Sequence, residues 1–218
     1  MLTPIVGGLL ILLLLASPAR ANLITNGSFE LPDIPGGTFA IFGAIPGWTS
    51  TIGGGIEIQD HVAGSPFDGI QHVELDSTSN SNMFQDIPTV PGQTYHLEFV
   101  YSPRPRIQVG DNTSLVFWDG GQIATLDGNG GADTLWQVSA FDLLASGNLT
   151  RLEFLAAGVS NSLGGYLDAV SLQQVPEPAT LLLLGAGLLK LAAARRRSRR
   201  KTEGTRASSP AQSTQRCR

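Results

Sequence analysis

Cysteine is nearly absent from this 218-residue chain: the only one is Cys217, next to the C-terminus. A disulfide framework, thiol chemistry and a Cys-based zinc site are thereby excluded from everything before it. Basic residues are almost as scarce in the central stretch. Between Asn22 and Val175 only Arg104, Arg106 and Arg151 stand against 16 of the chain's 18 acidic residues. That segment carries a net charge of −13, which the whole-chain value of −4 conceals. Such a surface is a poor partner for nucleic acid. It suits cations, calcium in particular, or serves simply to keep a domain soluble. Also lacking are the spacings of familiar catalytic sites. His61, His72 and His96 are scattered, with no H-E-x-x-H and no G-x-S-x-G, so catalysis finds little support. The acid pairs Glu57 with Asp60 and Glu74 with Asp76 mean little in so acidic a chain without geometry. No internal repeat is present. Asp127-Gly-Asn-Gly-Gly-Ala-Asp133-Thr-Leu135 looks like one turn of a calcium-binding nonapeptide array. A single copy cannot build that stacked structure, and a Gly-rich hairpin loop is the favoured reading.

What is present is concentrated first at the two ends. Ile5 to Ala16 is apolar, and Ala19 and Ala21 supply the small-x-small pattern of a signal-peptidase site. Residues 1–21 therefore read as a signal peptide, its apolar run too short to span a bilayer, although no Lys or Arg precedes that run. At the other end stands Val175-Pro176-Glu177-Pro178, then Ala179 to Ala194, apolar except for Lys190, then an Arg-rich block to Lys201. The prolines prevent helix before the apolar run. The basic block keeps its far side cytoplasmic by the positive-inside rule. A plain transmembrane anchor accounts for part of this pattern. The order of motif, span and basic stop resembles the PEP-CTERM sorting signal of exopolysaccharide-producing bacteria. The resemblance implies processing by an exosortase, passage across the inner membrane, transient anchoring there, and then the cell surface or extracellular matrix. It covers 175–201 and leaves 202–218 as a disordered basic tail.

Residues 22–174 remain as one domain, long enough for its own core. No segment shows a helical period. Short alternating runs separated by Gly, Pro, Asn and Asp predict strands instead. Thr94 to Tyr101 is the cleanest, with Tyr95, Leu97, Phe99 and Tyr101 on one face. Others are 55–58, 71–75, 82–87, 114–118, 122–126, 135–141, 148–156 and 166–172. Nine such strands predict an all-β fold, an antiparallel β-sandwich. The alternation places Asp168 in register with Tyr166, Val170 and Leu172 on an apolar face, where a bare carboxylate is very costly. Trp136 and Phe141 read as core. Trp48, in a Pro-Gly-Trp loop, and Trp118, before Asp119-Gly120-Gly121, are the candidates for an exposed sugar-stacking platform.

The opening Asn22-Leu-Ile-Thr-Asn-Gly-Ser-Phe-Glu30, then Pro46-Gly-Trp48, Val90-Pro-Gly-Gln-Thr-Tyr95, Trp136 and Tyr166-Leu-Asp-Ala-Val-Ser-Leu172, resemble the galactose-binding-like jelly roll. With the tail, the whole is similar to the bacterial "choice-of-anchor C" proteins. The resemblance implies a structural calcium held by Glu30, Asp168 and Asp68. The alternative for the same residues is that Asp168 caps backbone amides and Glu30 is exposed. The resemblance further implies a non-catalytic protein that binds extracellular polysaccharide in an exopolysaccharide or biofilm matrix. Two alternatives are a structural surface protein working through protein contacts and, less favoured, a secreted hydrolase.

Overall fold

The computed structural model describes residues 21–176, 183, 185–193 and 195. Twelve strands occur among them: β1 (Phe39–Phe42), β2 (Ala44–Ile45), β3 (Trp48–Thr49), β4 (Ile56–Gln59), β5 (His72–Glu74), β6 (Asn82–Pro88), β7 (Thr94–Ser102), β8 (Ser114–Trp118), β9 (Gly121–Leu126), β10 (Gln137–Leu144), β11 (Leu149–Ala156) and β12 (Tyr166–Gln174). They form two six-stranded sheets, ordered β1-β4-β5-β12-β7-β10 and β2-β3-β6-β11-β8-β9, with antiparallel neighbours throughout. All nine expected strands are present. The three additional ones, β1 to β3, are short and lie among glycines and Pro46, where alternation has no length over which to register.

Period-two patterning decides what lies between the sheets. Tyr95, Leu97, Phe99 and Tyr101 of β7 are buried from one side, and Leu152, Phe154 and Ala156 of β11 from the other. The ring of Phe154 meets Phe99 edge-on at 5.1 Å and Trp48 at 6.0 Å. Each fully buried side chain of this kind contributes about 1.5–3 kcal/mol. Leu167, Val170 and Leu172 of β12 join the same core.

The expected register of β12 is corrected here. A β-bulge lies between Asp168 and Ser171, with Ala169 at a φ of 50°. The extra residue shifts the strand by one position. Leu167 therefore faces the core before the bulge and Val170 and Leu172 after it. Tyr166 and Asp168 point to the outer side of the sheet. The N-terminal segment runs alongside: Leu23 N–H donates to Leu172 O at 2.8 Å, and Leu172 N–H donates to Asn22 Oδ1 at 2.9 Å.

Compactness divides the chain after Val175, whose N–H donates to Thr94 O at 2.8 Å. In the second unit residues 185–193 are helical. Among the described residues no helix is long and apolar enough to cross a membrane. The expected signal peptide up to residue 20, with Ala19 of its cleavage site, lies outside the described residues. So do Glu177 and Pro178 of the sorting motif, part of the expected span, and the tail 202–218.

Candidate functional site

Three carboxylates expected to share a cation border a single loop, residues 67–71. Asp168 Oδ2 accepts from the N–H groups of Phe67 (2.9 Å) and Asp68 (3.0 Å), and Oδ1 accepts from Ala169 (2.7 Å). Glu30 Oε1 accepts from Ile70 (2.9 Å) and Gln71 (3.0 Å). Asp68 Oδ2 accepts from the Ser28 hydroxyl at 2.6 Å. Gly69, at a φ of 68°, lies so close to Glu30 that a Cβ there would collide with its carboxylate. Oxygen donors drawn from separated segments match the chemistry a hard cation requires. In this arrangement, however, N–H and O–H donors occupy both oxygens of Asp168, Oε1 of Glu30 and Oδ2 of Asp68. Among the described residues no three His, Cys, Asp or Glu side chains are placed to hold an ion. Amides and an ion would compete for the same lone pairs.

The same device recurs elsewhere. Asp76 accepts from Asn161 and Ser162 N–H, each at 2.9 Å, and Asp127 from Gly110, Gly128 and Thr113. Much of the acidic surplus thus fastens loops to the sandwich. The Asp127–Leu135 stretch links β9 in one sheet to β10 in the other. It is a crossover loop and not a hairpin.

The tryptophans are redistributed relative to expectation. Trp48 is 1% exposed, its indole donating to Asn26 O at 3.2 Å and its ring lying against Phe29 and Phe154. Trp118 is 6% exposed, donating to Leu144 O at 2.9 Å and packed on Tyr95. Both belong to the core, so neither provides a platform. Trp48 faces inward because it starts β3 in the sheet opposite β7. Trp136, expected in the core, is instead half-buried just ahead of β10. Its indole donates to Ser65 O at 2.9 Å, and its ring meets Phe67 at 6.3 Å and His72 at 5.8 Å.

Trp136 lies over the β4–β5 part of the outer face of the first sheet, where the polar side chains are buried. Glu57 stands opposite Glu74, Gln59 opposite His72, and Tyr166 opposite Glu74 across neighbouring strands. Gln59 Nε2 donates to Glu57 Oε1 at 2.8 Å and to Glu74 Oε2 at 2.6 Å. Glu74 also accepts from Gly164 N–H and from the Arg104 guanidinium, which lies 5.6 Å from the centre of the Tyr166 ring. Burial outweighs the Arg104 charge and pushes Glu74 up to about 8. Burial likewise raises Glu57, and takes Asp168 up to about 7 against three backbone N–H bonds. His72 is lowered to about 3, chiefly by burial. Neither nitrogen of its buried ring has a hydrogen-bond partner. Sequence reading missed this group. The alternations Ile56-Glu57-Ile58-Gln59 and His72-Val73-Glu74 do place these polar side chains on one face. The loops that cover that face leave no periodic signal.

This architecture is an all-β antiparallel sandwich of two six-stranded sheets. A cyclase of the Stig type, Fisc, from Fischerella sp. TAU, solved with (3Z)-3-(1-methyl-2-pyrrolidinylidene)-3H-indole, superposes with a TM-score of 0.54 at 12% identity. The match covers 73% of this chain and 100% of that one, and concerns the fold. A family 35 carbohydrate binding module from an environmental isolate superposes with a TM-score of 0.43 at 13% identity, covering 64% of this chain and 93% of the module. No curated protein matches the sequence. At the C-terminal end, residues 174–200 match the PEP-CTERM protein-sorting motif. The protein is a β-sandwich carrying a PEP-CTERM sorting segment, and that motif carries with it export and exosortase processing.

Proposed function

We propose that the sandwich is displayed at the cell surface or released to the extracellular matrix, where it binds polysaccharide without transforming it. The observation that supports this most directly is the outer face of the first sheet. His72, which shares its face with Gln59, Glu74 and Tyr166, lies against the ring of Trp136, and Trp136 in turn meets Phe67. Hydrogen-bonding groups under an aromatic rim are what a sugar ring requires, hydroxyls at its edge and C–H groups on its face. The exopolysaccharide or biofilm matrix is the proposed setting, reached through a signal peptide cleaved after Ala21 and then the sorting segment. Affinity electrophoresis of the full-length protein through gels containing single polysaccharides tests the reading. Retardation by at least one polymer is expected, and free migration through all of them overturns it.

A structural calcium at Glu30, Asp68 and Asp168 is a further part of the proposal. It is supported by the three carboxylates bordering one loop, and it asks the ion to replace their N–H and O–H donors. A second reading, a surface protein working through protein contacts, draws on the terminal strand β10. There Val138 is 62% and Leu144 63% exposed. Concentration-dependent self-association without glycan binding would favour it.

A further inference from the structure

His72 is the one buried side chain, among the described residues, whose polar ring atoms are wholly unserved: it is 0% exposed and neither Nδ1 nor Nε2 has a partner. A neutral imidazole carries one donor and one acceptor. Leaving both unpaired costs about 1–3 kcal/mol each, and native interiors rarely tolerate it. A phenylalanine would fill the space without that cost. Both nitrogens lie at a built site, for the imidazole sits 4.4 Å from the Tyr166 ring, beside Gln59 in register, with Trp136 edge-on above it.

The cover over it is lightly held. Residues 64–68 and 133–136 are joined by Ser65 N–H to Asp133 Oδ1 (3.0 Å), Thr134 Oγ1 to Ser65 O (2.8 Å) and Trp136 Nε1 to Ser65 O (2.9 Å). All three bonds lie at exposed positions, where water competes for them. Gly64, at a φ of 93°, packs so closely on Thr134 that a Cβ there would collide with it, so the two segments move as one piece. At the other end Asp168 holds the amides of Phe67 and Asp68, which places the hinge there.

Building on the polysaccharide reading, we propose that these two segments form a lid that lifts to admit one uncharged pyranose unit, whose hydroxyls pair with both nitrogens of His72 while its ring face lies on Trp136. A hydroxyl both donates and accepts, which is what a neutral imidazole asks of a partner. An anionic sugar is disfavoured on three grounds. Arg104 is already engaged with Glu74, Glu57 lies beside that pair, and His72 resists protonation down to about pH 3. Among the described residues Arg104 is the Lys or Arg that reaches this face, and Glu74 already holds it.

The test compares full-length wild-type protein with His72→Phe and Trp136→Ala in gels containing galactan, mannan, dextran or polygalacturonate. Wild type should be retarded by at least one of the three neutral polymers and not by polygalacturonate. Each variant should lose about tenfold or more in affinity, the equivalent of one good contact. Without polysaccharide, His72→Phe should melt at the same temperature as wild type or higher. Retardation of both variants equal to wild type, or binding of polygalacturonate alone, overturns the lidded site and leaves the polysaccharide reading standing. Failure of wild type to bind any polymer overturns both. A melting temperature several degrees lower in ligand-free His72→Phe also overturns the site, because it gives the imidazole a structural partner.

Discussion

Glu57 and Glu74 face each other across β4 and β5, both bonded to the Gln59 amide and only Glu74 to Arg104, so this corner of the sheet retains a proton into the neutral range. The sign of the pH dependence follows from three groups with large displacements, Glu74, His72 and Asp168. Glu74 rises from 4.5 to about 8 on folding, so its contribution is complete below about pH 4.5 and is lost as pH climbs to about 8. His72 falls from 6.5 to about 3, so its contribution is complete above about pH 6.5 and is lost as pH drops toward 3. Asp168 rises from 3.8 to about 7, so its contribution is complete below about pH 3.8 and is lost as pH climbs to about 7. His72 offsets only one of the two falling slopes, so stability should be greatest near pH 4 and decline from about pH 4.5 to about 8. Urea midpoints from pH 4 to 9 measure it. Glu74→Gln should flatten the alkaline decline, and an unchanged decline would place the retained proton elsewhere. Asp168 offers a simpler case. Replacing it with Ala removes three part-buried hydrogen bonds and should cost about 3 kcal/mol. Asp168→Asn, which keeps one carbonyl acceptor, should cost less.

At the scale of elements, β12 is the strand where sequence and structure part most informatively. Its hydrophobic pattern fits an unbroken strand with Asp168 on the core side, and nothing in Tyr166-Leu-Asp-Ala-Val announces a bulge. The left-handed Ala169 is what turns Asp168 outward, and alanine is an unusual residue for that conformation. Ala169→Gly should therefore stabilise the fold by about 1 kcal/mol, raising the melting temperature by a few degrees. A loss would show that the alanine methyl is wanted for packing. β7 and β8 were fully legible because each alternates over five residues or more with one face in the core. The site was not, for a related reason. Alternation tells inside from outside, and it reads His72, Glu74 and Gln59 as solvent-facing. Their enclosure involves segments 64–68 and 133–136, which come from distant parts of the chain and meet through Gly64, Ser65 and the Phe67–Trp136 pair. Arg104 and Gly164, which bond Glu74, take part as well. Trp48 failed in the opposite direction, since Pro46-Gly47 signals a turn correctly and a two-residue strand after it carries no period.

For the whole molecule, the acidic surplus raises one question that a single experiment answers. Calcium and backbone amides lay claim to the same oxygens of Glu30 and Asp168. If calcium displaces the amides as proposed, unfolding should occur several degrees higher in millimolar calcium than in EDTA. Equal melting temperatures would leave the hydrogen bonds as the sole fastening of loop 67–71. A further consequence concerns the order of events as the chain is made and exported. β12, the last strand of the sandwich, lies in the interior of its sheet, between β5 and β7. Until Tyr166 to Gln174 arrives, those two strands present open edges and the outer polar floor lacks Tyr166. The sandwich therefore closes only once its C-terminal strand is available, immediately ahead in sequence of the sorting segment at 174–200. A chain cut short before Tyr166 should be held as an open, protease-sensitive intermediate, so the arrival of the membrane-directed tail also times the completion of the fold.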